Sequence, residues 1–332
     1  PRWSRYAVLM SPLRLPRTTS QHHHVRVPVG LPAASRTDGG PAGTRRGSAR
    51  RRWLHAVVHL PSSSADGTLP DPGRTVLLES GLGLSRVLWS RVTAPLTAAG
   101  FTVIVYDRAG LGQSPLARGR RTARDHVADL YTVLTHLAPR GAILVGHSYG
   151  GLLVRMLASE HPDQVTGLVL VDPSSEGSTA EASSGARYLN SVGQQVLTGL
   201  YGLGAAPLIS LLQGYHLLPR RLHAKVLHED ATEASQTARG QELEAYPDTI
   251  ADLGARPLPT PQVPVVLLAA RHPAGSAWAG YYRDYVASLP QGLFRTARTR
   301  SHMVPLRDPG AVVMAVRWVW QRAGEHEACP CP

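Results

Sequence analysis

The chain has 332 residues, a size that holds one large domain or a domain carrying an insertion. Hydrophobic residues make up 43% and charged residues 17%, which excludes wholesale disorder, and no apolar run approaches the roughly 20 residues of a membrane-spanning helix. The net charge of +12 is concentrated in residues 1–52, where eleven Arg face the single acid Asp38. The remainder is close to neutral and shows no basic-aromatic face, so no nucleic-acid partner is expected.

Residues 1–52 mix Pro, Gly, Ser and Arg without sustained apolar periodicity. This predicts a disordered basic segment that packs no core and is dispensable for activity. The run His22-His23-His24 lacks a fixed scaffold there and reads as incidental rather than metal-binding. Arg45-Arg46 and Arg50-Arg51-Arg52 precede an apolar stretch that is short and broken by His55 and His59, unlike an export signal. The two cysteines, Cys329 and Cys331, offer neither a disulfide framework nor four zinc ligands. A cytoplasmic location is the expectation.

From residue 53 the texture changes. Strands are predicted at 53–60, 75–79, 101–106, 142–145, 168–171 and 263–269, with a further strand-like piece at 294–299. Helical spacing links Val127, Leu130, Leu134 and Leu137, then Leu152, Leu153, Met156 and Leu157, and finally Val312, Val313, Val316, Val319 and Trp320. Continuous apolar strands alternating with helices indicate an α/β fold, a mostly parallel sheet covered on both faces. Between about 175 and 262 the strand signal disappears and a charged helical piece stands at 231–246. The expected organisation is therefore a core from 53–175 and 262–324, a helical cap at 176–261 and a short tail at 325–332. A cap at the C-terminal ends of the strands overhangs the place where such sheets bind ligands.

The segment Gly146-His147-Ser148-Tyr149-Gly150-Gly151 carries the chemistry. The pattern G-x-S-x-G alone is weak, but here it follows an apolar strand directly and opens an amphipathic helix. In that setting the serine is held in a strained turn with its hydroxyl free above the sheet. With this elbow in place, the chain resembles the α/β-hydrolase superfamily over about residues 53–324. Three further motifs match in order: Glu79-Ser80-Gly81-Leu82-Gly83, Asp107-Arg108-Ala109-Gly110-Leu111-Gly112-Gln113-Ser114, and Ser301-His302-Met303.

A serine hydroxyl needs a base, and His302, placed between the last strand and the last helix, is the choice among fifteen histidines. His147 neighbours the nucleophile and is expected to pack or orient. One oxyanion donor should be the N–H of Tyr149 at the start of its helix. The resemblance places the second at the N–H of Leu82, although Ser80 stands where a His is common. The resemblance also places the acid of the triad after the strand that follows the cap, where Ala270-Arg271-His272-Pro273-Ala274-Gly275 offers no carboxylate. Asp172, at the end of the preceding strand, is the alternative, ahead of Glu176 and of Asp284, which reads as mid-helix.

The resulting reading is a serine hydrolase that cleaves an ester or other acyl compound through an acyl-enzyme, without a cofactor. Its partner is a small-molecule substrate, and Leu200, Leu203, Leu208, Ile209, Leu211 and Leu212 hint at an apolar group on it. No H-E-x-x-H or paired Cys/His spacing points to a metal, and the glycines after Asp107 lack dinucleotide-binding spacing. Epoxide hydrolysis and dehalogenation on this fold use a carboxylate where Ser148 stands. The rival from another class is a non-catalytic ligand-binding protein on the same fold.

Overall fold

Strands whose residues are apolar throughout form the middle of the sheet, because only a strand covered on both faces can bury such a run. The computed structural model describes residues 22–29, 52–61, 74–174, 210–211, 214–272 and 277–327. In chain order the elements are β1 (His22–Val29), β2 (Arg52–His59), β3 (Thr75–Glu79), α1 (Ser90–Ala98), β4 (Thr102–Tyr106), α2 (Ala123–Leu137), β5 (Ala142–His147), α3 (Tyr149–Glu160) and β6 (Val165–Val171). There follow α4 (Arg220–Asp230), α5 (Glu233–Ala255), β7 (Val265–Ala269), α6 (Ala277–Ala287), β8 (Gly292–Thr296), α7 (Val304–Arg307) and α8 (Pro309–Glu327).

The eight strands lie in the order β1-β2-β4-β3-β5-β6-β7-β8. β2 is antiparallel to β1 and β4, and every other pairing is parallel. Side chains alternate across the sheet into two cores. Leu144, Leu168 and Leu170 face α2 and α3, whereas Val145, Val169 and Val171 face α1 and α8. Local signals set the helix starts. Thr122 and Asp125 form a reciprocal capping box at α2, and the Thr232 hydroxyl accepts Ser235 N–H at α5. Among the described residues no helix is long and apolar enough to cross a membrane.

The expectation that residues 1–52 pack no core is corrected at 22–29. β1 pairs along its length with β2, from His22 opposite His59 to Val29 opposite Arg52. Its own sequence carries the reason: Val25, Val27 and Val29 alternate with His24, Arg26 and Pro28, and the valines turn inward while the others stay exposed. Pro28 is tolerated because β1 is an edge strand with no neighbour needing its missing N–H. The His22-His23-His24 run is thus the start of a strand. His24 Nδ1 lies 2.8 Å from His55 Nε2, and His55 in turn contacts Asp107. A chain beginning at Arg50 should therefore lose stability. Val27 and Val29 are buried, at about 1.5–3 kcal/mol each. A clear fall in Tm on truncation is expected, and an unchanged Tm would show that β1 contributes nothing.

Between β6 and β7 the described residues form helices and no strand. α4 and α5 are anchored by buried charge. Arg86 reaches Glu229, and Arg239 lies 3.8 Å from Asp230. Burial, opposed by Arg239 and reinforced by Glu229 and Asp107, pushes the Asp230 carboxyl up to about 7. A carboxyl raised above its ordinary value of 3.8 favours the folded state most below about pH 4, and that contribution is lost as pH rises through about 7. Asp230→Asn is expected to raise Tm at pH 8, by roughly 5 °C, with the gain shrinking toward pH 5. Thermal melts at the two pH values check the sign.

Candidate active site

β5 runs into the elbow with every residue buried, and α3 begins at Tyr149. Ser148 occupies the corner at φ 53° and ψ −121°, a conformation that costs an L-residue about 1–3 kcal/mol. Backbone bonds hold it there. Ser148 N–H donates to Val171 O at 3.1 Å, and Ser148 O accepts from Gly151 N–H at 2.8 Å and Ser174 N–H at 3.0 Å. The flanking glycines make the turn possible. A Cβ at Gly146 would lie 2.4 Å from Gly150 O, and one at Gly150 would lie 2.5 Å from Glu79 O. Helix, elbow and the 80–83 loop thus meet at backbone distance.

Asp172 follows β6 directly. It has φ 42°, and with Ser148 it makes up the only non-glycine residues with positive φ among the described residues. Its Oδ2 lies 2.7 Å from His302 Nδ1. Its Oδ1 accepts Ala270 N–H at 2.9 Å and lies 3.0 Å from His272 Nε2. Burial pushes this carboxyl up, but the hydrogen bond and charge of His302, with help from Ala270 and His272, hold it at about 2. A carboxylate only accepts, so both imidazoles present N–H to it. A neutral His302 then carries its proton on Nδ1 and leaves Nε2 free to take another. The His302 side chain is 53% exposed, so a ligand can reach it.

His147 is fully buried and donates from Nε2 to His302 O at 2.8 Å. Burial, with the charge of His302 adding, holds it at about 3, so it is neutral and serves to orient the loop that bears His302. Asp284 lies inside α6, and Glu176 falls outside the described residues, as do the apolar residues named at 200–212 except Leu211.

The 80–83 loop begins where β3 lies beside the elbow strand, with Glu79 opposite Gly146. Ser80 Oγ donates to Ser85 O at 3.1 Å. Buried Arg108 supports the loop, donating to Ser80 O and Gly81 O at 2.7 Å each. Asp107 has a different task. Its carboxylate accepts Arg86 N–H at 2.9 Å and Gln113 N–H at 3.0 Å, and the Arg86 guanidinium pairs with it. Burial pushes Asp107 up, and the bonds from His55 and Arg86 more than offset this and lower it. The turn after β4 is therefore a structural lock.

A family model described as the alpha/beta hydrolase fold matches residues 74–305. This chain is an α/β hydrolase. It is 39% identical over 120 residues to "Putative carbamate hydrolase RutD" of Variovorax paradoxus (strain S110), covering 36% of the chain and 42% of that relative. It is 31% identical over 133 residues to "Type I acyl-CoA thioesterase mpaH'" of Penicillium brevicompactum, covering 36% and 30%. The chain spans about two-fifths of the length of the first curated relatives it matches. Among solved structures, a thermophilic esterase from Thermogutta terrifontis superposes with a TM-score of 0.60 at 19% identity, covering 90% of this chain and 99% of that one. Epoxide hydrolase CorEH superposes at 0.65 with 15% identity over 90% and 99%. Such distant likeness shows the fold alone.

Within this α/β hydrolase, Ser148 and Asp172 directly follow β5 and β6, and His302 lies in the loop between β8 and α7. His272 went unnoticed as a partner of Asp172. The only signal was its position in the loop after β7 that lacks a carboxylate.

Proposed function

We propose that this α/β hydrolase is a serine hydrolase cleaving an ester or other acyl compound through an acyl-enzyme. The observation that carries the reading is the 2.7 Å contact between Asp172 Oδ2 and His302 Nδ1, with both Asp172 and the elbow residue Ser148 held at positive φ. In this reading His302 Nε2 takes the Ser148 proton as Oγ attacks the acyl carbon, and the imidazolium is stabilised by Asp172. The N–H groups of Leu82 and Tyr149 receive the oxyanion, His302 returns the proton to the leaving group, and water then repeats the sequence to release the acid. The names of the relatives agree in kind, since carbamates, thioesters and esters all present an acyl carbon bonded to a heteroatom. Helices α4 and α5 act as the cap.

A fluorophosphonate probe and a panel of p-nitrophenyl esters of rising chain length test the proposal. Covalent labelling that requires folded protein, with turnover of at least one ester, is expected. A folded protein that neither labels nor hydrolyses any of the panel is a ligand-binding member of the fold.

A further inference from the structure

The residue that sets the oxyanion loop lies far from it in sequence. Arg108, in the turn after β4, is almost fully buried and uses all five of its N–H bonds. Nε donates to Glu242 Oε1 at 2.7 Å and Nη2 to Glu242 Oε2 at 2.9 Å. Nη2 also donates to Gly81 O, and Nη1 donates to Glu79 and to Ser80 O. Glu242 itself sits on α5 and accepts Gly83 N–H through Oε2 at 2.7 Å.

These bonds bracket Leu82. Gly81 C=O and Leu82 N–H belong to one planar trans peptide, so they point in opposite directions. Drawing Gly81 O toward the guanidinium aims Leu82 N–H the other way. The next peptide plane, from Leu82 C=O to Gly83 N–H, is held by the Glu242 carboxylate. Both planes around Leu82 are therefore fixed by one buried ion pair. The Arg108 guanidinium also lies 5.7 Å from the ring centroid of Tyr149, whose N–H is the other oxyanion donor.

Resting on the acyl-transfer reading above, we infer that Glu242 is a positioning residue: through Arg108 and Gly83 it ties the inserted helix α5 to the loop that presents Leu82 N–H. Burial pushes both carboxyls up. Arg108 more than offsets this at Glu242, which is lowered, while Glu79 stays raised. The seating of α5 and the competence of the oxyanion hole are then one event. A catalytic loop whose geometry is supplied by a segment 159 residues away is complete only when that segment is docked.

The test uses the full chain and compares Glu242→Gln, Glu242→Asp and, as a control, Asp252→Ala. The control removes the exposed pairing of α5 with Arg124 and leaves the loop alone. For Glu242→Gln, kcat on the best p-nitrophenyl ester should fall about 10²-fold, the loss typical of one oxyanion donor. KM should stay within about three-fold. Affinity for a trifluoromethyl ketone, which forms a tetrahedral oxyanion, should fall in parallel with kcat, because a merely structural defect has no reason to track that ligand. Glu242→Asp keeps the charge at shorter reach and should fall between Gln and the parent. It also serves if the Gln variant does not fold. Asp252→Ala should match the parent. Folded Glu242 variants with parental kcat and parental ketone affinity overturn the inference. A loss confined to KM, with ketone affinity unchanged, overturns it as well. A parent protein that turns over no ester and takes no fluorophosphonate instead refutes the acyl-transfer reading itself.

Discussion

Replacing Ser148 by alanine is expected to lower kcat by about 10⁶ and to abolish fluorophosphonate labelling, while Tm stays near that of the parent. The size follows from the proposed role, in which the hydroxyl is the acyl carrier and gives its proton to His302. The fold should not suffer, because Ser148 is held through backbone bonds to Val171, Gly151 and Ser174 that alanine keeps. Alanine at φ 53° bears the same strain as serine. His302→Ala should lose activity to a similar degree. A folded Ser148→Ala protein with near-parental esterase turnover would end the nucleophile assignment.

Asp172→Asn is expected to lower kcat by about 10⁴ with the protein still folded. Asparagine tolerates the positive φ of 42° and can still accept Ala270 N–H. Its amide, turned toward His302, no longer requires Nδ1–H and favours the tautomer with the proton on Nε2, where it cannot serve as a base. Stability should also drop in a pH-dependent way. Asp172 is depressed to about 2 from an ordinary 3.8, so its contribution is present above about pH 4 and lost as pH falls toward 2. At pH 7 the loss should therefore be on the order of 2 kcal/mol, and near pH 2 the variant and parent should converge. Denaturant melts at the two pH values and kcat at pH 7 check both parts. If Asp172→Asn stays active while Asp284→Asn collapses, the acid lies on α6.

Much of this molecule could be read without coordinates. Apolar runs such as 142–145 and 168–171 must be buried on both faces, and the glycines around Ser148 admit few local structures. The central strands and the elbow are therefore local consequences of composition and spacing. β1 was also legible in the alternation of Val25, Val27 and Val29, but its arginine-rich, Pro/Gly-rich surroundings masked a signal only three residues strong. Boundaries moved for the same reason: β8 ends at Thr296 rather than 299, since a partly exposed edge strand lacks a continuous apolar run.

By itself the sequence indicated the parallel α/β sheet and the position of Ser148 at the elbow, while the resemblance of its motifs pointed to the α/β-hydrolase fold and to Asp172 as the candidate acid. The sheet and the elbow follow from short-range periodicity and from chain order, both of which a linear string records. Tertiary structure alone decided that His272 and His302 share the two oxygens of Asp172, that His147 holds the His302 carbonyl, and that Glu242 on α5 reaches Arg108 and Gly83. Each of these joins residues roughly 100 or more positions apart. Their pairing depends on where the packed sheet and inserted helices bring buried charge together, because a buried donor or acceptor must find its partner in space, and nothing in the neighbouring sequence names that partner.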